Sequence, residues 1–318
     1  MQASLRAWGS VVAAALGLAG CGGGAATPTT APGGCLPVEI VATTSILGDV
    51  VRNVAGHAAR VEVLIPPGAD PHSFSASASQ AAALRRAGLV VANGLGLEAG
   101  LGDALAAAAD DGVTVVEAAS FVEALPFAGG PGEGHDDAGT LDPHLWTDPR
   151  RMAAVAVGLG EALAAADPAC AAAHRTAAAA YAGDLEDLDA EVESLLAGIP
   201  AERRRLVTSH QTLGYFADRY GFEVLGAIIP GGATYAEPSP ADLAALVELL
   251  RREGIRAVFA ENIRPAALAD ALAAELGQEV AVVTLFTDAL GGPGSGAETY
   301  VSMQRLNAER IAAALGGA

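Results

Sequence analysis

The sequence predicts an α/β protein with two lobes, each built on a four-stranded parallel sheet, joined by one long linking helix. Three observations carry this. Short runs rich in β-branched and apolar residues alternate with amphipathic helical patterns. The runs fall into two groups of four, and a long helical tract poor in Gly and Pro separates the groups. Alternation of this kind implies parallel strands covered by helices on both faces.

Residues 1–34 stand apart from the fold. Arg6 supplies a positive start, residues 8–18 are apolar, and Leu18-Ala19-Gly20-Cys21 follows. The pattern is that of a secretory signal, too short for a spanning helix. Small residues before Cys21 fit a lipidation signal, in which cleavage leaves that cysteine at the N-terminus to carry lipid; an ordinary signal peptide with an incidental cysteine is the alternative. Residues 22–34, rich in Gly, Ala, Thr and Pro, suit a flexible tether.

The first lobe is placed at residues 35–168, with strands at 38–43, 61–65, 89–92 and 113–116 and a helix over 77–87. Within it, residues 128–139 are glycine-rich and acidic with one histidine, His135, and form a loop. The linking helix is placed at 169–198. Its second half sets apolar residues every three or four positions among acids, the pattern of a solvent-facing helix packed along one stripe. At about 1.5 Å per residue it spans roughly 40 Å; two helices with a kink are the alternative. The second lobe, residues 199–318, has strands at 206–209, 223–229, 257–260 and 280–285 and a helix over 238–253.

Composition narrows the function. Lys and Arg number 18 against 37 Asp and Glu, a net charge of −19, and aromatics make up only 4%. Such a chain repels phosphate backbones and offers little to stack on bases, so nucleic acid is not its partner. Cys35 and Cys170 match no zinc spacing; outside the membrane such a pair is expected to form a disulfide, the alternative being two unrelated thiols.

Six histidines can be weighed singly. His57 sits near a helix end, His135 in the glycine-rich loop and His174 on the exposed start of the long helix, and none of these is assigned a role. The other three share a position. His72 follows the second strand in Ala69-Asp70-Pro71-His72, His144 follows the fourth in Asp142-Pro143-His144, and His210 ends the fifth in Thr208-Ser209-His210. Ligands of open α/β sheets gather beyond the carboxyl ends of the strands, so three such histidines can converge on a metal ion. Proline holds the preceding residue extended and presents the imidazole from a rigid turn. Asp70 and Asp142 are then available as acceptors for a ring N–H, or as turn formers only. Asp288, after the last strand, and Glu261, after the seventh, are the two candidates for a fourth ligand.

These motifs resemble a known family. Val41-Ala42-Thr43-Thr44-Ser45, Gly68-Ala69-Asp70-Pro71-His72-Ser73-Phe74, Ala92-Asn93-Gly94-Leu95-Gly96-Leu97-Glu98, Asp142-Pro143-His144-Leu145-Trp146-Thr147-Asp148-Pro149, Ser209-His210-Gln211-Thr212-Leu213-Gly214, Glu237-Pro238-Ser239-Pro240 and Phe286-Thr287-Asp288 occur in the family's order. The chain resembles the metal-binding lipoproteins that deliver zinc or manganese to bacterial ABC importers, the cluster A-I, TroA-like and ZnuA-like group, from residue 38 to the end. The resemblance implies a metal site in the interlobe cleft with His72, His144, His210 and Asp288 as ligands. The His210 position is Glu in many manganese receptors of that family.

Three imidazoles and a carboxylate suit tetrahedral zinc, whereas oxygen-rich sites lean toward manganese. The expectation is therefore a non-enzymatic, extracytoplasmic receptor for Zn(II), with Mn(II) as second choice. It is expected to act as a monomer anchored to the cell membrane through lipid on Cys21 and to pass its metal to an ABC permease. A zinc hydrolase, for which Glu261 is the one available base, and a surface adhesin of the same fold are the rivals.

Overall fold

The computed structural model describes residues 38–56, 59–127, 140–229, 231–232, 234, 237–277 and 280–317. Cys21, Cys35, His57 and the stretch 128–139 with His135 lie outside them. The first sheet is formed by β1 (Val38–Ala42), β2 (Ala59–Val63), β3 (Leu89–Ala92) and β4 (Val115–Glu117). Its spatial order is β2-β1-β3-β4, with every neighbouring pair parallel. The second sheet, from β5 (Arg205–Thr208), β6 (Glu223–Ala227), β7 (Ala257–Glu261) and β8 (Ala281–Leu285), repeats the plan as β6-β5-β7-β8. Central strands are buried on both faces: every residue of β3 and of β7 is inaccessible, whereas β2 at an edge alternates. Helix-covered parallel sheets produce this contrast.

The helices begin where local chemistry permits. Thr44 caps α1 (Ser45–Ala55) by accepting the Leu47 N–H at 3.2 Å. Ser77 and Gln80 form a reciprocal capping box at α2 (Ala78–Leu84), and Ser239 and Asp242 form another at α7 (Pro240–Glu253). α2 ends earlier than its apolar pattern suggests, because the chain tightens through Arg86 and Ala87 to enter β3. α3 (Gly102–Asp110), α6 (Gly214–Tyr220) and α8 (Ala267–Leu276) complete the covering layers.

α4 (Pro149–Ala166), α5 (Ala171–Leu196) and α9 (Tyr300–Gly316) build the spine. α5 is one helix of 26 residues, about 39 Å long. Its buried stripe includes Ala178, Tyr181, Leu185, Leu188, Val192 and Leu196. One apolar core runs from Ile40 and Val91 of the first sheet through α1, α4, α5 and α9 to Phe259 and Leu285 of the second. The two halves thus share a core and are not separate bodies on a rod.

One histidine departs from expectation. His174 is buried, not exposed, with Nε2 3.4 Å from Asp167 Oδ2. The tight turn at Pro168–Cys170 folds the first turns of α5 back onto α4, and a side chain at the start of a long helix is covered by its own hairpin. Cys170 is buried and disulfide-bonded. No described helix is long and apolar enough to cross a membrane.

Candidate metal centre

Four side chains, three from the segments after β2, β5 and β8 and one from the turn leading into α4, meet in the cleft. His72, His144, His210 and Asp288 each turn one ligating atom inward, and these atoms all lie within 4.8 Å of one another. His144 Nε2 stands 3.3 Å from His72 Nε2 and 3.3 Å from His210 Nε2. Asp288 Oδ2 lies 3.2 Å from His210 Nε2 and 3.5 Å from His72 Nε2. His144 and His210 are wholly inaccessible, and Asp288 and His72 retain slight exposure, 2% and 7%.

Each of these side chains is held in place by its surroundings. Beyond β2 the ladder continues through Leu64 and Ile65, after which Pro66 and Pro67 turn the chain toward His72. Asp70 accepts the backbone N–H of His72 at 2.9 Å, the Ser73 hydroxyl at 3.0 Å and, from the other lobe, the Thr234 hydroxyl at 2.6 Å. It is a turn former and an interlobe tie; it is neither a ligand nor the acceptor for the His72 ring. Asp142 behaves differently. One oxygen, Oδ1, accepts both the backbone N–H of His144 at 2.9 Å and its ring Nδ1–H at 2.6 Å. A carboxylate only accepts, so Nδ1 carries the hydrogen and Nε2 keeps its lone pair for the cleft.

His210 repeats the arrangement with a partner distant in sequence. Glu261, at the carboxyl end of β7, accepts the His210 backbone N–H at 3.0 Å and Nδ1–H at 2.8 Å. Glu261 thereby stands behind the ring, on the side of the imidazole opposite Nε2. Asp288 has one oxygen held by the Thr212 hydroxyl at 3.1 Å. The other, Oδ2, is buried without a hydrogen-bond donor and points at the three imidazoles. A buried oxygen left in this way is costly unless a cation satisfies it.

Electrostatics support that use. Burial disfavours charge on His210, yet the carboxylates of Glu261 and Asp288 hold its pKa well above the ordinary imidazole value. Burial likewise raises Asp288, but His210, with His72 and His144 beside it, holds its carboxyl well below the usual range. The cluster stabilises positive charge at its centre.

Sequence reading missed several supporting groups. Asn93 donates to the Pro143 carbonyl at 2.9 Å, fixing the peptide before His144, and its own N–H is held at 2.7 Å by buried Glu98, which also takes the Thr43 hydroxyl. The Tyr215 hydroxyl donates to the Asp142 carbonyl at 2.7 Å. The available signal was a lone Asn and a lone Glu bounding an otherwise apolar, glycine-rich run; the partners themselves were invisible. We expect Glu261→Gln, which keeps one acceptor but removes the charge behind the His210 ring, to lower metal affinity about 10-fold. Titration calorimetry checks it, and unchanged affinity would exclude the role.

Known proteins carry the same arrangement of sequence and fold. Residues 40–314 match the family described as zinc-uptake complex component A, periplasmic. The manganese-binding lipoprotein MntA of Halalkalibacterium halodurans is 32% identical over 305 residues, 96% of each chain. The zinc-binding protein TroA of Treponema pallidum is 32% identical over 293 residues, covering 87% of this chain and 88% of that one. The solved structure of the periplasmic zinc-binding protein TroA superimposes with a TM-score of 0.80 at 30% identity, covering 88% of this chain and all of the other.

Proposed function

We propose, on the premise that this chain belongs to the family of the periplasmic zinc-uptake complex component A and is a metal-binding substrate-binding protein of an ABC importer, that its cargo is Zn(II), held by His72, His144, His210 and Asp288. The observation that carries this is the donor set, three imidazole nitrogens and one carboxylate oxygen brought together in one buried cluster. Metal–ligand distances of about 2.0–2.1 Å in a tetrahedron place neighbouring ligand atoms about 3.3–3.4 Å apart. Four of the six separations, 3.2, 3.3, 3.3 and 3.5 Å, fall around that value, and all six lie within 4.8 Å. The donor chemistry agrees: three neutral nitrogens and one oxygen favour zinc over manganese, which binds imidazole weakly in the Irving–Williams series. Relatives named for manganese and for zinc both lie at 32% identity, so the donor set decides the reading.

No reaction is needed for this task. The imidazoles and the carboxylate replace water around the ion, and four protein ligands close the shell, leaving no open position of the kind a catalytic zinc keeps. The importer's membrane permease is the partner that receives the metal. Anchoring through lipid on Cys21 is part of the proposal, supported by the residues before that cysteine and by the naming of MntA as a lipoprotein. Metal content of the purified protein, followed by competition between Zn²⁺ and Mn²⁺, tests the cargo; preferential retention of manganese would overturn it.

A pH dependence follows with a definite sign. In the metal-free protein the Glu261 and Asp288 carboxylates raise the His210 pKa well above the ordinary imidazole value, so protons compete with zinc for its ring nitrogen. Zinc binding is expected to release protons and zinc affinity to fall on acidification, because the histidine ligands bind metal only when deprotonated. Calorimetry in buffers of different ionisation enthalpy reads the proton directly. Binding with no proton release would contradict the raised pKa given to His210.

A further inference from the structure

Between the two lobes, one buried residue contacts a proposed ligand on one side and the peptide of another on the opposite side. Trp146 lies in the single turn Leu145–Thr147, two residues after His144. Its ring meets the His144 imidazole edge to face, with centroids 5.3 Å apart and planes at 71°. The indole N–H donates at 2.6 Å to the carbonyl of Thr287, the residue preceding Asp288. The Trp146 carbonyl accepts the Tyr300 hydroxyl and the Gln304 side-chain amide, each at 2.7 Å, from the first turns of α9.

The Asp288 segment is held from two directions. Within its own lobe, Asn262 accepts the Thr287 N–H at 3.1 Å and donates to the Ala289 carbonyl at 3.0 Å, while Thr212 holds Asp288 Oδ1. These bonds set the orientation of the carboxylate but not its distance from the histidines of the first lobe. That distance is set by groups crossing the cleft: the indole N–H on Thr287, and Ser45 Oγ accepting the Leu290 N–H at 3.0 Å. Trp146 alone of these two also bears on a ligand ring.

We propose that Trp146 is a positioning residue of the metal centre, acting as a strap whose N–H to Thr287 bond fixes the separation between ligands of the two lobes. In this arrangement Asp288 offers one oxygen, 3.2 Å from His210 Nε2 and 3.5 Å from His72 Nε2, with the other retained by Thr212. Without the strap the 287–290 segment moves outward with the Asp288 carboxylate, the separation between ligands of the two lobes widens, and the centre loses its preference for the small, nitrogen-rich shell of zinc over the larger shells that suit manganese. A residue that touches no metal thus sets part of the metal preference. The inference rests on the ligand set proposed above.

Two variants separate the donor from the ring. Trp146→Phe removes the N–H and part of the ring; incorporation at position 146 of benzothienylalanine, the sulfur isostere of tryptophan, removes the N–H and keeps the shape. Zn²⁺ and Mn²⁺ affinities, the visible spectrum with Co²⁺ and the thermal midpoint are measured for each and for the wild type. Zinc affinity is expected to fall about 10–100-fold while manganese affinity changes by less than about threefold, and the strong Co²⁺ bands of four-coordination are expected to weaken. A lowered thermal midpoint with unchanged Co²⁺ spectrum and unchanged metal preference would reduce Trp146 to a packing role and overturn the proposal. Isostere-bearing protein indistinguishable from the wild type overturns it equally. A wild type that takes up no zinc defeats the reading of the site itself, and the strap with it.

Discussion

His210→Ala is expected to lower zinc affinity by about 100- to 1,000-fold, since a four-ligand zinc site is worth roughly 10–16 kcal/mol and one ligand about a quarter of that. The loss goes beyond the missing nitrogen. Glu261 makes its side-chain hydrogen bonds to His210, through the backbone N–H and the ring. With the ring gone, a carboxylate only 2% exposed loses its principal partner beside the cleft. Competition against a chelator of known zinc affinity measures the change. His174→Ala serves as the control: that histidine is also buried, but it faces Asp167 and not the cleft, so its removal leaves zinc binding intact while lowering stability. Equal zinc affinity in wild type and His210→Ala would remove His210 from the ligand set and, with it, the preference for zinc over manganese.

The second large effect concerns stability. Gly160 lies on the buried face of α4, and a Cβ placed there would stand 2.4 Å from the Cβ of Ala178 on α5. These two helices make the most extensive contact in the molecule. Gly160→Val is expected to destabilise the fold by about 2–3 kcal/mol, because the helices cannot separate without disturbing the core they share. For a chain of this size that lowers the thermal midpoint by roughly 3–5 °C. The milder Gly160→Ala tests the reasoning by its sign. Helix propensity alone favours alanine by about 1 kcal/mol; the contact with Ala178 costs about 1–3 kcal/mol and wins. Denaturant unfolding decides between them, and a stabilised Gly160→Ala would mean that α4 and α5 have room to part.

Much of the centre was legible because its parts are local. The two Asp-Pro-His turns announce themselves, since proline fixes a rigid turn within three residues and the aspartate caps the following backbone N–H; both carboxylates do so at 2.9 Å. What the two aspartates do beyond that differs, and nothing in the repeated triplet distinguishes them. Asp142 reaches the ring of its own histidine, while Asp70 reaches across to Thr234, 164 residues away. Glu261 appeared as a possible ligand because it ends a strand beside the others. Which side of the His210 ring it occupies is a matter of how β5 and β7 pair.

The sequence by itself determined the alternation of strands and helices, their division into two groups of four, the long helix between them and the segments from which the candidate ligands project. Those are properties of periodicity, capping and turn chemistry, each contained within a few residues. Only the tertiary structure decided that His174 is covered, that the two sheets share one core through α1, α4, α5 and α9, and that Trp146 bridges the ligand segments of both lobes. The physical reason is common to all three. Periodicity reports which face of an element is apolar, whereas the partner that covers that face, or completes a hydrogen bond from it, is set by the placement of elements tens to hundreds of residues apart.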